Sequence, residues 1–189
     1  MSPHHLAEIL RDYAGFGPGI AVSLGISLVT CGYVSRALGI SRAHGWTLVM
    51  SLGVVLSATI TPSREALLFG AQGSGTCDLS KIGPGSWWEL RHLDDACLNI
   101  LLFVPLGIVI GLCPRSRAKL IVLAGAFVLP AAIELIQLVA VPLGRECQSA
   151  DIVDNVFGLL LGLLAGSVAG RIWSFRPAAS LTNADEMDG

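Results

Sequence analysis

Five runs of apolar residues, each close to the length that a bilayer core requires, constrain this chain more than any other feature. In lipid, a run of this length is stable only as a helix, because a helix satisfies its own backbone hydrogen bonds. Only 14% of the residues are charged, against about a quarter in an average soluble domain. The sequence therefore predicts an all-α, polytopic membrane helical bundle of about five transmembrane helices, over residues 18–38, 45–60, 96–113, 120–141 and 152–172.

The runs divide the chain into a membrane domain, 18–175, and two flanking segments. Residues 1–17 place apolar side chains opposite charged ones, which predicts an interfacial helix. Residues 176–189 are polar without periodicity and are predicted to be disordered. The net charge of −2 offers no basic surface, so a nucleic acid partner is not expected.

Basic residues predict the orientation in the membrane, because short cytoplasmic loops carry an excess of lysine and arginine. One side of the predicted bundle receives most of the basic residues that lie close to helix ends. These are Arg36, Arg42, Arg115, Arg117, Lys119, Arg171 and Arg176. We therefore expect a multi-pass protein of the cell membrane with its N-terminus outside and its C-terminus in the cytoplasm.

Polar side chains from three helices and one loop converge on the predicted extracytoplasmic face. They are Asp95, Asn99, Glu134, Gln137, Arg145, Asp151, Asp154 and Asn155. Residues three and four positions apart share one face of a helix, and polar groups at membrane depth are candidates for function. We therefore predict that these eight residues form a ligand-binding cluster.

A structural role is the alternative, in which Arg145 neutralises carboxylates while asparagine and glutamine join helices. For Asp95 and Asp151 the two roles are equally supported, since an acid also stabilises the start of a helix. Glu134 lies about 10 Å inside its helix end by helical rise, which favours function.

Metal and cofactor sites are not predicted. The cluster has no His or Cys pair with zinc-ligand spacing. Glu134, Asp151 and Asp154 are chemically suitable for Mg²⁺ or Ca²⁺, which prefer oxygen ligands, but nothing requires such an ion. No phosphate-binding loop or dinucleotide fingerprint is present.

Small residues at helical spacing predict two close helix contacts. Gly158, Gly162 and Gly166 continue the face of Asp151 and Asn155, forming a groove that a neighbouring helix can enter. A second stripe, Gly25, Gly32 and Gly39, recurs every seventh residue in the first apolar run.

Two of the five cysteines are predicted to form a disulfide. On the expected topology Cys77 and Cys147 both lie in extracytoplasmic loops, where the compartment is oxidising. The remaining cysteines, Cys31, Cys97 and Cys113, are expected to be free.

The order and spacing of several of these residues resemble the VanZ-like family of bacterial membrane proteins. The matching residues are Asn99, Phe103, Pro105 and Gly107 in one segment, Glu134 and Gln137 in a second, and Arg145, Asp151, Asn155 and Gly158 in a third. The resemblance covers residues 93–166 well and the first two spans by hydropathy only. Relatives often carry an acid where this chain has Gln148. The family is named for a protein that lowers susceptibility to the glycopeptide teicoplanin, and the resemblance implies a role in the cell envelope.

Two functions remain open at this point. In the first, the cluster binds a lipid headgroup or a lipid-linked wall precursor without catalysis, with Arg145 on the phosphate. In the second, the protein is a membrane-embedded hydrolase or transferase, with Glu134 as general base, Arg145 stabilising developing charge and Asp151 as a further catalytic candidate. Proton-coupled transport is less favoured, because five helices are few unless the protein oligomerises. The oligomeric state is not indicated.

Overall fold

A computed structural model of the protein describes residues 16–80 and 95–174. Residues 1–15 of the predicted interfacial segment, the predicted tail 176–189 and the side chain of Asp95 lie outside this part. The described helices are α1 Phe16–Leu38, α2 Arg42–Thr59, the short α3 Arg64–Phe69, α4 Asp95–Leu112, α5 Arg117–Val139 and α6 Ser149–Ser174. A single 3₁₀ turn, Val141–Leu143, follows α5. The predicted all-α helical bundle is confirmed.

Short polar side chains and glycines determine where several helices begin and end. The hydroxyls of Ser41, Ser63 and Ser116 accept hydrogen bonds from the backbone N–H three residues further on, at 3.1–3.3 Å. Each serine thereby satisfies one of the N–H groups that a helix start leaves without a partner. Gly39 and Gly70 follow α1 and α3 with φ of 65°, a left-handed conformation that ends a helix at little cost for glycine.

Among the described helices, three are long and apolar enough to cross a membrane: Phe16–Leu38, Arg117–Val139 and Ser149–Ile172. The outer surface of the bundle is apolar, with Val29 84% exposed and Ile121 74% exposed, as expected for side chains that lipid surrounds. The chain is therefore a membrane protein. The helices α2 and α4 have 18 residues each, or about 27 Å of helix.

Glycines let α4 and α6 pack backbone against backbone. A Cβ atom on Gly158 would meet the carbonyl oxygen of Ile100, and one on Gly162 would meet that of Val104. The same holds one turn further along, for Gly166. The groove predicted on α6 is thus confirmed, and α4 occupies it. Beside this seam lies the buried apolar core, which includes Val55, Phe103, Leu106, Ile110, Ile133 and Leu159.

The prediction that the second glycine stripe packs against another helix is wrong. This stripe lies along α1 and consists of Gly25, Gly32 and Gly39. No atom lies within 4 Å of a Cβ built at any of these glycines. Instead α1 packs on α2 through serines, with the hydroxyls of Ser23 and Ser57 3.3 Å apart. Serine also permits close approach, because its hydroxyl can bond to a carbonyl of its own helix, as Ser23 does to Gly19 at 2.8 Å.

A two-stranded parallel ladder is the only β-structure among the described residues. Strand β1, Cys77–Asp78, pairs with β2, Cys147–Gln148, so that Cys77 lies opposite Cys147. This ladder connects the segment after α3 to the loop between α5 and α6. That loop carries Arg145.

Candidate functional site

A cavity of about 490 Å³ lies at the end of the bundle where α2 and α5 end and α4 and α6 begin. One part of its wall is apolar and is formed by Phe16, Val54, Ala58, Leu98, Leu101, Leu102 and Pro105. The other part is polar and is formed by Thr59, Asn99, Gln137, Arg145, Glu146, Gln148 and Asp151. The cavity is therefore amphiphilic. Two of its charged residues, Arg145 and Glu146, lie in the loop between α5 and α6, and the third, Asp151, lies in the first turn of α6.

The eight predicted ligand-binding residues separate into three groups. Four of them line the cavity: Asn99, Gln137, Arg145 and Asp151. Three others, Glu134, Asp154 and Asn155, are buried in the protein and do not line it. The side chain of Asp95 is outside the part of the chain that the structure describes.

Arg145 is held by backbone carbonyl groups at the end of α2. Its Nε donates to the carbonyl oxygen of Thr61 at 3.2 Å, and one terminal nitrogen donates to that of Ala58 at 3.1 Å. The last carbonyls of a helix have no partner within the helix, and Pro62 cannot extend α2 to supply one. Arginine therefore stabilises this helix end while its positive charge faces the cavity.

The side-chain oxygen of Gln137 is buried and has no hydrogen-bond partner among the described residues. Its side chain is only 8% exposed, and its amide nitrogen donates to the carbonyl oxygen of Thr59 at 3.0 Å. A carbonyl oxygen can only accept, so this bond fixes which end of the amide is nitrogen. The other end, Oε1, is left without a donor.

Glu134 contacts the loop between α5 and α6 and does not line the cavity. Its carboxylate is 3% exposed and accepts a hydrogen bond from the backbone N–H of Gln148 at 2.8 Å. Through this bond α5 positions strand β2, and the side chain of Gln148 lines the cavity. The bond to Glu134 uses only the backbone of Gln148, so it does not depend on which side chain stands there.

Residues 63–78, which include α3 and β1, contact the same loop from the other side. The N–H groups of Ser63 and Gly73 donate to the carbonyl oxygens of Leu143 and Val141 at 2.9 and 2.8 Å. A Cβ on Gly73 would meet the carbonyl oxygen of Arg145, so only glycine fits there without displacement. The position of Arg145 therefore depends on residues 63–78 as well as on its own loop.

A disulfide also joins residues 63–78 to the loop between α5 and α6. The structure joins Cys77 to Cys147, with their Cα atoms 4.5 Å apart and 70 positions between them in sequence. Cys31, Cys97 and Cys113 are free. The bond connects residues 63–78 to the strand that Glu134 holds.

We expect Cys77→Ser to lower the free energy of unfolding by about 2–4 kcal/mol, because the crosslink restricts the unfolded chain. Thermal unfolding of the purified protein in detergent measures this change, with Cys31→Ser as the matched control at a free cysteine. Mass mapping without reductant should recover one peptide pair that contains Cys77 and Cys147. Recovery of both thiols free after thiol trapping would contradict the assignment.

Metal binding finds no support in the part of the chain described. Within residues 16–80 and 95–174, no group of three or more His, Cys, Asp or Glu side chains is placed to hold an ion. The oxygen set considered for Mg²⁺ or Ca²⁺, namely Glu134, Asp151 and Asp154, is therefore not gathered as a metal site.

Several parts of the cavity wall were not predicted from the sequence. Thr59 and the carbonyl oxygens of Ala58 and Thr61 belong to the end of α2. A signal for them existed, since Pro62 marks a helix end with unpaired carbonyls close to a predicted polar cluster. Phe16 and Val54 gave no signal, because any membrane helix supplies apolar residues of this kind.

Comparisons with known proteins agree with the resemblance noted from the sequence. A family model described as VanZ/LLP1 matches residues 48–170. This range includes most of α2, all of α4 and α5, the loop with Arg145 and most of α6. No curated protein and no solved structure matches the chain.

Proposed function

The chain belongs to the VanZ/LLP1 family, and from that premise we propose that it acts at the extracytoplasmic face of the membrane on or with a cell-envelope lipid or a lipid-linked wall precursor. The cavity would hold the polar headgroup of that molecule. The single observation that carries this proposal is the amphiphilic cavity at one end of the bundle.

The apolar wall suits the hydrocarbon part of a lipid. Its residues on α4 extend from Leu98 to Pro105, which is about 10 Å along the helix. Leu101 lies in this stretch and is 52% exposed, so the wall is continuous with the lipid-facing surface. A lipid can therefore enter from the side while its headgroup remains beside the charged loop.

The polar wall suits a phosphate-containing headgroup. Arg145 lines it, and a guanidinium forms strong, charge-assisted hydrogen bonds with phosphate. The amide and carboxylate side chains around it would hold sugar or peptide groups of the headgroup, with the carboxylates accepting hydrogen bonds. Binding of this kind needs no chemical step by the protein.

The disulfide supports the extracytoplasmic location, since such bonds persist mainly in oxidising compartments. Basic residues support the same orientation, because Arg36, Arg117, Lys119 and Arg171 lie toward the other ends of their helices. We therefore retain five membrane crossings, including α2 and α4, with the N-terminus outside and the C-terminus in the cytoplasm.

A role in glycopeptide susceptibility follows as the finer part of the proposal. A protein that holds or alters a lipid-linked wall precursor changes what a glycopeptide can reach. Lower susceptibility to teicoplanin is the property for which the family is named.

The alternative, a hydrolase or transferase with Glu134 as general base, is not favoured. A general base must come within hydrogen-bond reach of the proton that it removes. Glu134 does not line the cavity, and its carboxylate is bonded to the backbone of Gln148. These contacts support a positioning role.

Filling the cavity tests the proposal. We expect Val54→Trp to abolish protection against teicoplanin, because the indole would occupy the space where the lipid binds. Minimal inhibitory concentrations in a host that lacks the chromosomal gene give the readout. Leu52→Trp is the matched control, since Leu52 lies on the same helix but is exposed to lipid.

The amount of monodisperse protein in detergent should be the same for both tryptophan variants. Full protection by well-folded Val54→Trp would overturn the proposal that the cavity is the site of action.

A further inference from the structure

We propose that α3 anchors the cavity end of the protein in the membrane, with the side chains of Leu67, Leu68 and Phe69 embedded where lipid headgroups meet acyl chains. The partner of α3 is therefore the lipid surface of the leaflet at that end. The inference goes beyond the proposed function and does not depend on it, because it concerns the outer surface of the protein and not the cavity.

The last three residues of α3 are apolar and exposed. Leu67 is 54% exposed, Leu68 59% and Phe69 81%. In contrast, the exposed side chains of residues 71–78 are all polar, and the next exposed apolar residue is Leu79. Apolar side chains gain free energy when they leave water. The end of α3 is therefore suited to an apolar environment, whereas the residues that follow it are suited to water.

Both ends of the segment that contains α3 are bonded to the turn after α5. The N–H of Ser63 donates to the carbonyl oxygen of Leu143 at 2.9 Å, and that of Gly73 donates to the carbonyl oxygen of Val141 at 2.8 Å. Between these two bonds the chain forms α3 and reverses at Gly70, whose φ is 65°. The three apolar residues therefore directly precede the reversal, and the base of the segment is fixed to the turn.

The depth of this turn in the membrane follows from α5. Arg117–Val139 is long and apolar enough to cross a bilayer, and its last residue, Val139, is still 69% exposed. The 3₁₀ turn begins two residues later, at Val141, which places it at the edge of the hydrocarbon core. The headgroup layer beyond that edge is about 5–8 Å thick. Since a Cβ on Gly144 would lie 2.8 Å from Cβ of Ala66, α3 packs beside the turn, within reach of this layer.

The apolar end of α3 thus continues a surface that lipid already surrounds. Leucine and phenylalanine are side chains that interfacial helices bury in the boundary between headgroups and acyl chains. The charged residues Arg64 and Glu65 lie at the other end of α3, where they can remain among the headgroups. A helix of six residues is too short to be stable alone, but its bonds to the turn hold it in place. Because the same turn leads to Arg145, the anchor also fixes the depth of that loop.

Spin labelling of the full-length protein measures the depth of α3. Phe69→Cys, Ser74→Cys and Val139→Cys are each made in a protein whose three free cysteines are replaced by alanine and whose disulfide is kept. The labelled proteins are reconstituted in vesicles of dioleoyl phosphatidylcholine and phosphatidylglycerol. Molecular oxygen concentrates in hydrocarbon, whereas a water-soluble nickel chelate stays outside it.

The ratio of oxygen to nickel collision rates is the readout. We expect this ratio to be severalfold higher at position 69 than at position 74, where the side chain is exposed in the polar part of the segment. The ratio at position 69 should be close to that at position 139, which lies on the lipid-facing surface of α5.

Aspartate at the two leucines tests whether apolar side chains hold α3 in the membrane. In Leu67→Asp/Leu68→Asp, the ratio at position 69 should fall to the value at position 74, because burying a carboxylate is costly. Gln72→Asp is the matched control at an exposed polar residue of the same segment, and it should leave the ratio unchanged. Both leucines are more than half exposed, so melting midpoints in detergent should be equal for the two variants.

Three results would overturn the proposal. Equal ratios at positions 69 and 74 would mean that α3 faces water. Low collision rates with both reagents at position 69 would mean that protein covers it, either another part of this chain or a second copy. An unchanged ratio in the double aspartate variant would mean that the leucines do not hold α3 in the membrane. None of these results bears on the proposed function, which Val54→Trp tests.

Discussion

Gly162→Val should leave little folded protein. A Cβ at this position would meet the carbonyl oxygen of Val104, and it would lie 2.9 Å from Cα of Gly107 and from the backbone nitrogen of Ile108. All three obstacles are backbone atoms, so no side-chain rotation can relieve them. Valine adds two further methyl groups, and overpacking typically costs about 1–3 kcal/mol and occasionally more. The backbone obstacles place this variant at the upper end of that range.

The matched control is Gly125→Val on α5, where no atom lies within 4 Å of an added Cβ. Both variants carry the same change in helix propensity, because valine is a few tenths of a kcal/mol more favourable in a helix than glycine. The yield of monodisperse protein and the thermal unfolding midpoint in detergent give the comparison. Equal midpoints for the two variants would contradict the close packing of α4 on α6.

The two glycine stripes show what helical spacing can predict. On α6 the stripe continues a face that already carries Asp151 and Asn155, and a polar face avoids lipid. That combination identified a protein-facing surface. On α1 no polar residue shares the face of the glycine stripe. Glycine spacing alone does not indicate whether a helix face packs against another helix or against lipid. The buried face of α1 instead carries Ser23, Ser27 and Ser35.

The polar cluster shows a second limit of prediction from helical spacing. Helical periodicity grouped Glu134 with Gln137 because it operates within one turn. It could not indicate that Glu134 bonds to a backbone 14 positions away, or that Arg145 bonds to carbonyls 84 and 87 positions away. Such contacts depend on how helices dock. The sequence could therefore predict that these polar residues lie at the same end of the bundle. It could not predict which of them line the cavity and which are buried behind its wall.

Replacing Glu134 tests that division directly. We expect Glu134→Leu to abolish protection against teicoplanin, because leucine leaves the N–H of Gln148 without its acceptor. An unsatisfied buried N–H costs about 1–3 kcal/mol, and the loop would move to recover that bond elsewhere. The displacement would carry Gln148 and Arg145 away from the cavity wall. Glu65→Leu, at an exposed acid of α3, is the control for loss of a carboxylate.

The variant Glu134→Gln distinguishes a role of Glu134 in positioning the loop from a role of its carboxyl group in catalysis. Glutamine keeps an oxygen that can accept the bond from Gln148 but has no ionisable group. If Glu134 only positions the loop, the glutamine variant should retain at least half of the wild-type protection, measured as minimal inhibitory concentration at equal amounts of folded protein. A folded glutamine variant without protection would mean that the carboxyl group itself is used. The membrane-embedded hydrolase or transferase would then be favoured over a protein that only binds its lipid.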